Sequence, residues 1–162
     1  MSDAPTGKLQ DRIAVITGAS RGIGAATAKL FAAEGAHVIL VARTQGGLEE
    51  IDDEIRGAGG TATLVPMDLT DYDKIDQMGA TIYERFGKLD ILIANAGLLG
   101  TMVPINHIDP KVWEQTLAVN VTANWRLIRS FDPLLRLSDA GRAIFMTSYA
   151  GQVHRAFWGI YA

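Results

Sequence analysis

Short apolar runs rich in β-branched residues alternate along the chain with segments of helical periodicity. Near-continuous apolar runs are typical of strands buried on both faces of a sheet. Five such runs cover residues 13–17, 37–42, 62–66, 90–94 and 143–147. Four segments with helical periodicity lie between them, at about 23–34, 45–57, 72–86 and 110–137. The alternation predicts an α/β fold, a doubly wound parallel sheet of Rossmann type with helices on both faces.

Turn and cap residues agree with these boundaries. Asp109 followed by Pro110 predicts a helix N-cap with proline at the first helical position. Pro133 predicts that the fourth helix is kinked or ends early. Glycines fall where each helix should turn toward the next strand, at Gly35, 57–60, Gly87 and Gly141.

Length and composition suit one globular domain. With 162 residues and 48% hydrophobic content, the chain can bury one sizeable core. We therefore expect a single domain over 1–162, preceded by a polar leader at 1–10. The formal net charge of -3 gives no reason to expect a nucleic-acid partner.

Membrane and metal partners are not expected either. The polar N-terminus lacks the apolar core of a signal peptide, and no run approaches the ~20 apolar residues that span a bilayer. We therefore expect a soluble, cytoplasmic protein. The chain has no cysteine, and His37, His107 and His154 lack ligand spacing, so we expect these histidines to be structural or at the surface and no metal to be bound.

A glycine-rich turn follows the first predicted strand and leads into a helix. Gly18 would permit the reversal, Gly22 would let the backbone approach a pyrophosphate, and Gly24 would allow close helix packing. The helix N-terminus would offer free N–H groups to the phosphates. The competing interpretation is an ordinary tight turn.

The end of the second predicted strand indicates which dinucleotide is preferred. A carboxylate there commonly binds the ribose hydroxyls, but this strand ends in Arg43. Arg43 and Arg21 could neutralise a 2′-phosphate, so the sequence favours NADP, with NAD possible. The alternative is that both arginines are merely solvated.

The glycine turn and five later matches together resemble the classical short-chain dehydrogenase/reductase family. The turn has the sequence T-G-A-S-R-G-I-G, Asp68-Leu69 follows the third strand, and Asn95-Ala96-Gly97 follows the fourth. Asn120, Ser148 and Tyr161 match the family's catalytic asparagine, serine and tyrosine. The resemblance implies a cofactor site formed by Gly18, Ser20, Arg21, Gly22, Ile23, Gly24, Arg43, Asp68, Leu69, Asn95, Ala96 and Gly97.

Each match taken singly has a simpler interpretation. Asp68 could cap a helix, Asn95 could fix a turn, and Ser148 could be a polar residue at the end of a buried strand. A different Rossmann-type enzyme, such as a methyltransferase, also places a glycine turn after its first strand. The N-A-G motif with the Ser148/Tyr161 pair argues against that alternative.

The resemblance implies hydride transfer between NADP(H) and an alcohol or ketone. Tyr161 would supply the proton, Ser148 would hydrogen-bond the carbonyl oxygen, and Asn120 would hold a proton relay. Apolar residues around the motifs hint at a hydrophobic substrate, although they could equally pack against further parts of such a protein: Leu98, Leu99, Met102, Val103, Val153, His154, Phe157 and Trp158.

The family's lysine, four residues after the tyrosine, would fall beyond Ala162. We therefore expect the chain to be C-terminally incomplete relative to the family and, at 162 residues, to have negligible reductase activity. The alternative function is a dinucleotide-binding but non-catalytic fragment or assembly partner. The family implies a homodimer or homotetramer for the complete protein.

Overall fold

A five-stranded parallel sheet forms the centre of the structure, a computed structural model that describes residues 7–153 and 155–162. Its strand order is β3-β2-β1-β4-β5, and every neighbouring pair is parallel. The chain runs outward from β1 to β3 and then returns to the other side of β1, which confirms the doubly wound sheet. The strands are β1 (Ile13–Thr17), β2 (His37–Ala42), β3 (Thr61–Pro66), β4 (Ile91–Ala94) and β5 (Arg142–Phe145).

The helices supply the crossovers between these strands and lie close to the predicted segments. The Asp109 carboxylate accepts a hydrogen bond from the Lys111 N–H at 2.8 Å, which confirms the predicted N-cap. Gly87 ends the third helix with a φ of 72°, a left-handed conformation that glycine adopts readily. The helices are α1 (Gly22–Ala33), α2 (Gln45–Gly57), α3 (Tyr72–Phe86), α4 (Pro110–Leu117) and α5 (Ala123–Arg136).

Two apolar cores cover the two faces of the sheet. On one face, α1 and α2 pack over side chains such as Ile16 and Leu40. On the other face, α3 and α5 pack over side chains such as Val15 and Leu92. Because successive side chains of a strand point to opposite faces, both faces of β1 are buried, and the near-continuous apolar run of this strand follows from that burial.

The predicted long fourth helix is helical from Pro110 to Arg136, but it is not one regular α-helix. A π-helical segment, Ala118–Thr122, separates α4 from α5. The side-chain amide of Asn124, in the first turn of α5, donates to the carbonyl of Asn120 in this segment at 2.7 Å. The helix does not end at Pro133 either, because Pro133 lies in the last turns of α5, which continues to Arg136. The α-helical hydrogen-bond pattern is therefore interrupted at the π segment, which contains no proline or glycine that would have predicted it.

The beginning of the described chain packs against the turn between α1 and β2. The backbone N–H of Leu9 donates to the Glu34 carbonyl at 2.9 Å, and the N–H of Lys8 donates to the Glu34 carboxylate at 2.8 Å. Leu9 also packs against the core beneath α1 and α2. Residues 7–10, within the expected leader, are thus attached to the sheet. His154 lies outside the described residues.

A buried carboxylate joins several elements at the amino end of β4. Asp90 is fully buried, and one of its oxygens accepts from Arg12 and Lys88 at 2.9 Å each and from the Ser138 hydroxyl at 2.5 Å. Its other oxygen accepts from the Ile13 N–H at 2.9 Å. The carboxylate thereby ties β1, β4 and the loop after α5 together.

These contacts determine the ionisation of Asp90. Burial works to raise the pKa of its carboxyl, but the four hydrogen bonds outweigh burial and lower the pKa from 3.8 to about 2. Arg12 also pairs with Asp139, and both carboxylates raise the pKa of its guanidinium. The network is therefore fully charged near neutral pH.

We expect Asp90→Asn to lower the free energy of unfolding by about 3 kcal/mol near neutral pH, because Arg12 and Lys88 lose the charge that pairs with them. The folded-state pKa of Asp90 lies below the unfolded value, so its contribution is present above about pH 4 and is lost as the pH falls toward about 2. This lowering of the Asp90 pKa corresponds to about 2 kcal/mol in the free energy of unfolding. Urea unfolding followed by circular dichroism across this pH range measures both effects.

The matched control is Asp132→Asn, since the one ion pair of Asp132 among the described residues is with the exposed Arg136 of its own helix. This variant should change the free energy of unfolding by less than about 0.5 kcal/mol. An Asp90→Asn effect no larger than the control, or one that stays constant between pH 4 and pH 2, would contradict the assignment.

Candidate functional site

A cleft of about 670 Å³ opens at the carboxyl ends of β1, β2 and β4. In a doubly wound sheet this is the edge at which the strand order reverses and ligands bind. Eleven of the twelve residues expected to bind a cofactor line it, and the twelfth, Gly24, lies within α1. The lining residues that the sequence did not single out for a cofactor are Val41, Ala42, Thr44, Gly47, Met67, Leu98 and Val119.

The glycine turn depends on the absence of side chains at two positions. Gly18 has a φ of 66°, and a Cβ there would lie 2.9 Å from the Asn95 side-chain nitrogen. A Cβ at Gly24 would lie 2.3 Å from the Gly18 carbonyl oxygen, which is a backbone clash. The first turn of α1 therefore lies directly against the end of β1, and its residues Gly22 and Ile23 line the cleft.

Thr17 and Asn95 bind the two strand ends that carry this turn. The buried Thr17 hydroxyl accepts from the Asn95 and Ala96 N–H groups at 2.9 and 3.0 Å. In return, the Asn95 side-chain amide donates to the carbonyls of Thr17 at 3.0 Å and Gly18 at 3.4 Å. The glycine turn after β1 and the N-A-G turn after β4 are thus one hydrogen-bonded unit.

Two exposed arginines give the cleft a cationic side. Arg21 precedes the first residue of α1, and Arg43 directly follows β2. Within residues 7–153 and 155–162, neither arginine has an ion-pair partner or a side-chain hydrogen bond. The first turns of α1 and α2 contain no acidic residue. Free guanidinium groups beside two helix N-termini form a surface suited to anions.

Asp68 sits at the far wall of the cleft and stabilises its own turn. One carboxylate oxygen accepts from the Thr70 N–H at 2.9 Å and from the Thr70 hydroxyl at 2.8 Å. Leu69, which is buried, packs into the core beneath α3. The simpler interpretation, that Asp68 caps a helix, does not hold, because the N-cap residue of α3 is Asp71 and Asp68 stabilises the turn before it.

Asn120 is anchored to the loop that follows the N-A-G turn. Its side-chain oxygen accepts from the Leu98 N–H, and its side-chain nitrogen donates to the Leu98 carbonyl, both at 2.8 Å. A Cβ at Gly97 would lie 3.6 Å from the same oxygen. The π segment that contains Asn120 is therefore attached to one wall of the cleft.

Ser148 and Tyr161 are neighbours of one tryptophan and are not hydrogen-bonded to each other. The Ser148 hydroxyl accepts from the Ala150 N–H at 3.2 Å and begins a short 3₁₀ turn. Trp158 lines a small cavity of about 190 Å³ with Ser148, and its ring centroid lies 6.1 Å from that of Tyr161. No side-chain hydrogen bond joins Asn120, Ser148 and Tyr161, three residues that the structure describes.

The predicted apolar wall is open to solvent at three of its residues, while the other described ones are half-buried. Leu99, Met102 and Phe157 each expose more than two fifths of their surface. Across the described parts of the chain, no group of three or more histidine or acidic residues is placed to hold a metal ion. In the same parts, none of the helices combines the length and the apolar character needed to cross a bilayer.

Sequence reasoning missed Thr17 as a site residue. Its partners are 78 and 79 residues away, and a threonine that ends a β-strand is common. Two signals were available: Thr17 ends an apolar strand directly before the glycine turn, and it opens the T-G-A-S-R-G-I-G motif of the family resemblance.

Comparison with known proteins places this geometry in one family. A model of the short chain dehydrogenase family matches residues 12–162. The uncharacterized oxidoreductase YciK of Escherichia coli K12 is 36% identical over 157 residues, which cover 95% of this chain and 62% of that protein.

Solved structures agree with the sequence relatives. The short chain dehydrogenase from Shigella flexneri is 36% identical with a TM-score of 0.89, over 94% of this chain and 61% of that one. A metagenomic short-chain oxidoreductase in complex with NADP is 36% identical with a TM-score of 0.90, and the match covers 94% of this chain and 69% of that one. The chain thus spans about three fifths to seven tenths of these proteins, and over that span it belongs to the short chain dehydrogenase family.

Proposed function

We propose that this chain forms the NADP(H)-binding domain of an oxidoreductase that interconverts alcohols and ketones. The observation that carries the proposal is the single cleft lined by eleven of the twelve expected cofactor-binding residues. Its volume of about 670 Å³ lies within the range of sites for small molecules and cofactors. We propose residues 1–162 as one domain.

The glycine turn would hold the pyrophosphate. The N–H groups at the start of α1 have no helical partners, and a Cβ at Gly22 would meet nothing within 4 Å. A phosphate can therefore approach the backbone there and accept hydrogen bonds at the positive end of the helix. Asp68 and Leu69, at the far wall, would lie beside the adenine, and Asn95, Ala96 and Gly97 beside the nicotinamide half.

The two unpaired arginines support NADP over NAD. A 2′-phosphate carries about two negative charges that a free ribose hydroxyl lacks, and guanidinium groups bind such oxygens in bidentate geometry. Arg43 and Arg21 have no carboxylate that would compete for them within the described residues. The NADP complex of the metagenomic relative supports the same choice.

The reaction would depend on three side chains near the nicotinamide end. The nicotinamide, when bound, supplies or accepts the hydride. Tyr161 would donate a proton to the developing alkoxide, and the Ser148 hydroxyl would hydrogen-bond the same oxygen. Asn120, attached to Leu98 at both ends of its amide, would hold the adjoining wall in place.

A binding-only function is the second candidate. Ser148 hydrogen-bonds the Ala150 N–H, and no hydrogen bond joins it to Asn120 or Tyr161, all of which the structure describes. A chain in this state would bind NADP(H) without turnover. Turnover by the protein at its native length distinguishes the two functions.

Exposed apolar residues support the remaining proposals on substrate and assembly. Leu99 and Met102 in the segment after the N-A-G turn, and Phe157 between Ser148 and Tyr161, are exposed, which would suit a hydrophobic alcohol or ketone. Val121, Trp125 and Ile128 form an exposed stripe of the helical segment after Asn120, spaced four and three residues apart. Self-association through this stripe would give a homodimer or homotetramer.

Arg43→Gln tests the cofactor preference. We expect the dissociation constant for NADPH to rise about tenfold, because a charge-assisted hydrogen bond to the 2′-phosphate is lost. NADH affinity should stay within about twofold. Isothermal titration calorimetry measures both constants, and Arg142→Gln, which removes an exposed arginine at the amino end of β5, is the control. Equal weakening of NADPH and NADH by Arg43→Gln would contradict the 2′-phosphate assignment.

Thr17→Val tests whether the hydroxyl holds the cofactor turn. The substitution keeps the side-chain volume but leaves the N–H groups of Asn95 and Ala96 without their acceptor. We expect a loss of about 2 kcal/mol in the free energy of unfolding and weaker NADPH binding. Amide hydrogen exchange at both positions should become faster. Thr17→Ser retains the hydroxyl and should resemble the wild type, so equal behaviour of the valine and serine variants would argue against this role.

Tyr161→Phe tests the chemical step in the protein at its native length. Ketone-dependent oxidation of NADPH should fall by about 10²–10⁴-fold, because the phenol that supplies the proton is removed. NADPH affinity should be unchanged. Tyr149→Phe, at the exposed tyrosine beside Ser148, is the matched control and should retain full turnover. Wild-type protein that binds NADPH but reduces no ketone of a broad panel would favour the binding-only function.

A further inference from the structure

A second cavity, of about 260 Å³, lies between the edge strand β3 and α3. Its floor consists of buried apolar side chains from the sheet and from α3, including Ile39, Met78 and Ile82. Met67 lines this groove and also the cofactor cleft, so its side chain stands between the two sites. We call this cavity the β3/α3 groove, and nothing in the proposed reaction uses it.

The polar rim of the groove is one-sided in charge. No carboxylate lines the groove. Its polar lining residues are two cations, two threonines and a glutamine: Lys74, Arg85, Thr63, Thr81 and Gln77. An apolar floor with a rim of hydrogen-bond donors is complementary to an apolar molecule that carries a negative charge.

The two cations differ in what they already bind. Lys74 forms an ion pair with Asp71 at 2.9 Å. Arg85 donates to the Thr63 hydroxyl at 3.3 Å, and its guanidinium carbon lies 5.0 Å from the centre of the Phe86 ring. Among the described residues Arg85 has no acidic partner, so most of its five N–H donors are free. An anion would therefore bind at the Arg85 end.

The shape of the groove limits what fits behind that anion. The lining residues of α3 run from Lys74 to Arg85, about 16 Å along the helix at about 1.5 Å per residue. The volume equals about nine water-sized units of about 30 Å³, which suits a single linear chain of about that many heavy atoms.

We propose that the β3/α3 groove binds a medium-chain carboxylate. The carboxylate accepts hydrogen bonds from Arg85, and the hydrocarbon chain lies over Val65 and Met78 toward Met67. The site is separate from the cofactor cleft and does not depend on the oxidoreductase function.

The test is a titration of the ¹⁵N-labelled chain with octanoate, followed by nuclear magnetic resonance in the presence of saturating NADPH and again without it. Octanol, which has the same chain and no charge, and acetate, which has the charge and no chain, are the matched ligands. We expect octanoate to shift the amide signals of Thr63, Thr81 and Arg85, with an affinity about tenfold above that of octanol. Acetate should produce no comparable shift.

Two variants separate the head and tail contacts. Arg85→Gln should weaken octanoate about tenfold and leave octanol within about twofold, because only the charged contact is lost. Thr81→Phe fills the middle of the groove from an exposed helix position and should weaken both ligands. Arg129→Gln, at an exposed arginine of α5 away from the groove, should change neither. The amide spectra of the variants show whether each is folded.

Three results would overturn the proposal. The first is equal affinity of the wild-type chain for octanoate and octanol. The second is octanoate shifts confined to the cofactor cleft around Gly18 and Asn95, and abolished by NADPH. The third is groove signals that shift with protein concentration alone, which would identify the occupant as a second copy of this chain at the β3 edge.

Discussion

The Thr17 hydroxyl joins the carboxyl ends of β1 and β4, the two strands between which the strand order of the sheet reverses. A buried hydroxyl must find partners, and this one accepts the two N–H groups that begin the N-A-G turn. The Asn95 side-chain amide in turn donates to carbonyls at the start of the glycine turn, so the two turns restrain each other. These two sets of contacts position the first turn of α1 and the cleft beside it. They also position Leu98, to which Asn120 is hydrogen-bonded.

β4 is held at its other end by Asp90. The strand has four residues, and hydrogen bonds of Thr17 at its carboxyl end and of Asp90 at its amino end join both of its ends to β1. The carboxylate at the amino edge is far from the cleft at the carboxyl edge. The Asp90 network therefore lies at the edge of the sheet opposite the ligand cleft, and a change in this network can leave the cleft intact.

The sheet and most helices could be predicted because their signals are local. Apolar runs mark β1 and β2 to the residue, and α2 and α3 end where their glycines indicate. The glycine turn, Asn95 and Arg43 were found because each directly follows a predicted strand. The resemblance to a known family added Asn120, Ser148 and Tyr161, whose separations of 28 and 13 residues have no meaning by local physics alone.

Contacts between distant parts of the chain could not be predicted. Arg12 and Asp139 are 127 residues apart, and the residues between them give no sign that they pair. The three candidate catalytic residues were expected to act together, yet the structure shows each with its own local partner: Leu98 for Asn120, Ala150 for Ser148 and Trp158 for Tyr161. Hydrogen bonds of this kind depend on packing that a pattern of residue types does not record.

The π segment between α4 and α5 changes the phase of the helical pattern. A π turn holds one more residue than an α turn, and each residue of an α-helix advances the side chain by about 100°. The core stripe of α5, which includes Leu127 and Phe131, is therefore rotated relative to any stripe counted forward from α4. Asn120 can therefore contact Leu98 while the core stripe of α5 packs against the sheet, although the backbone stays helical from α4 through α5.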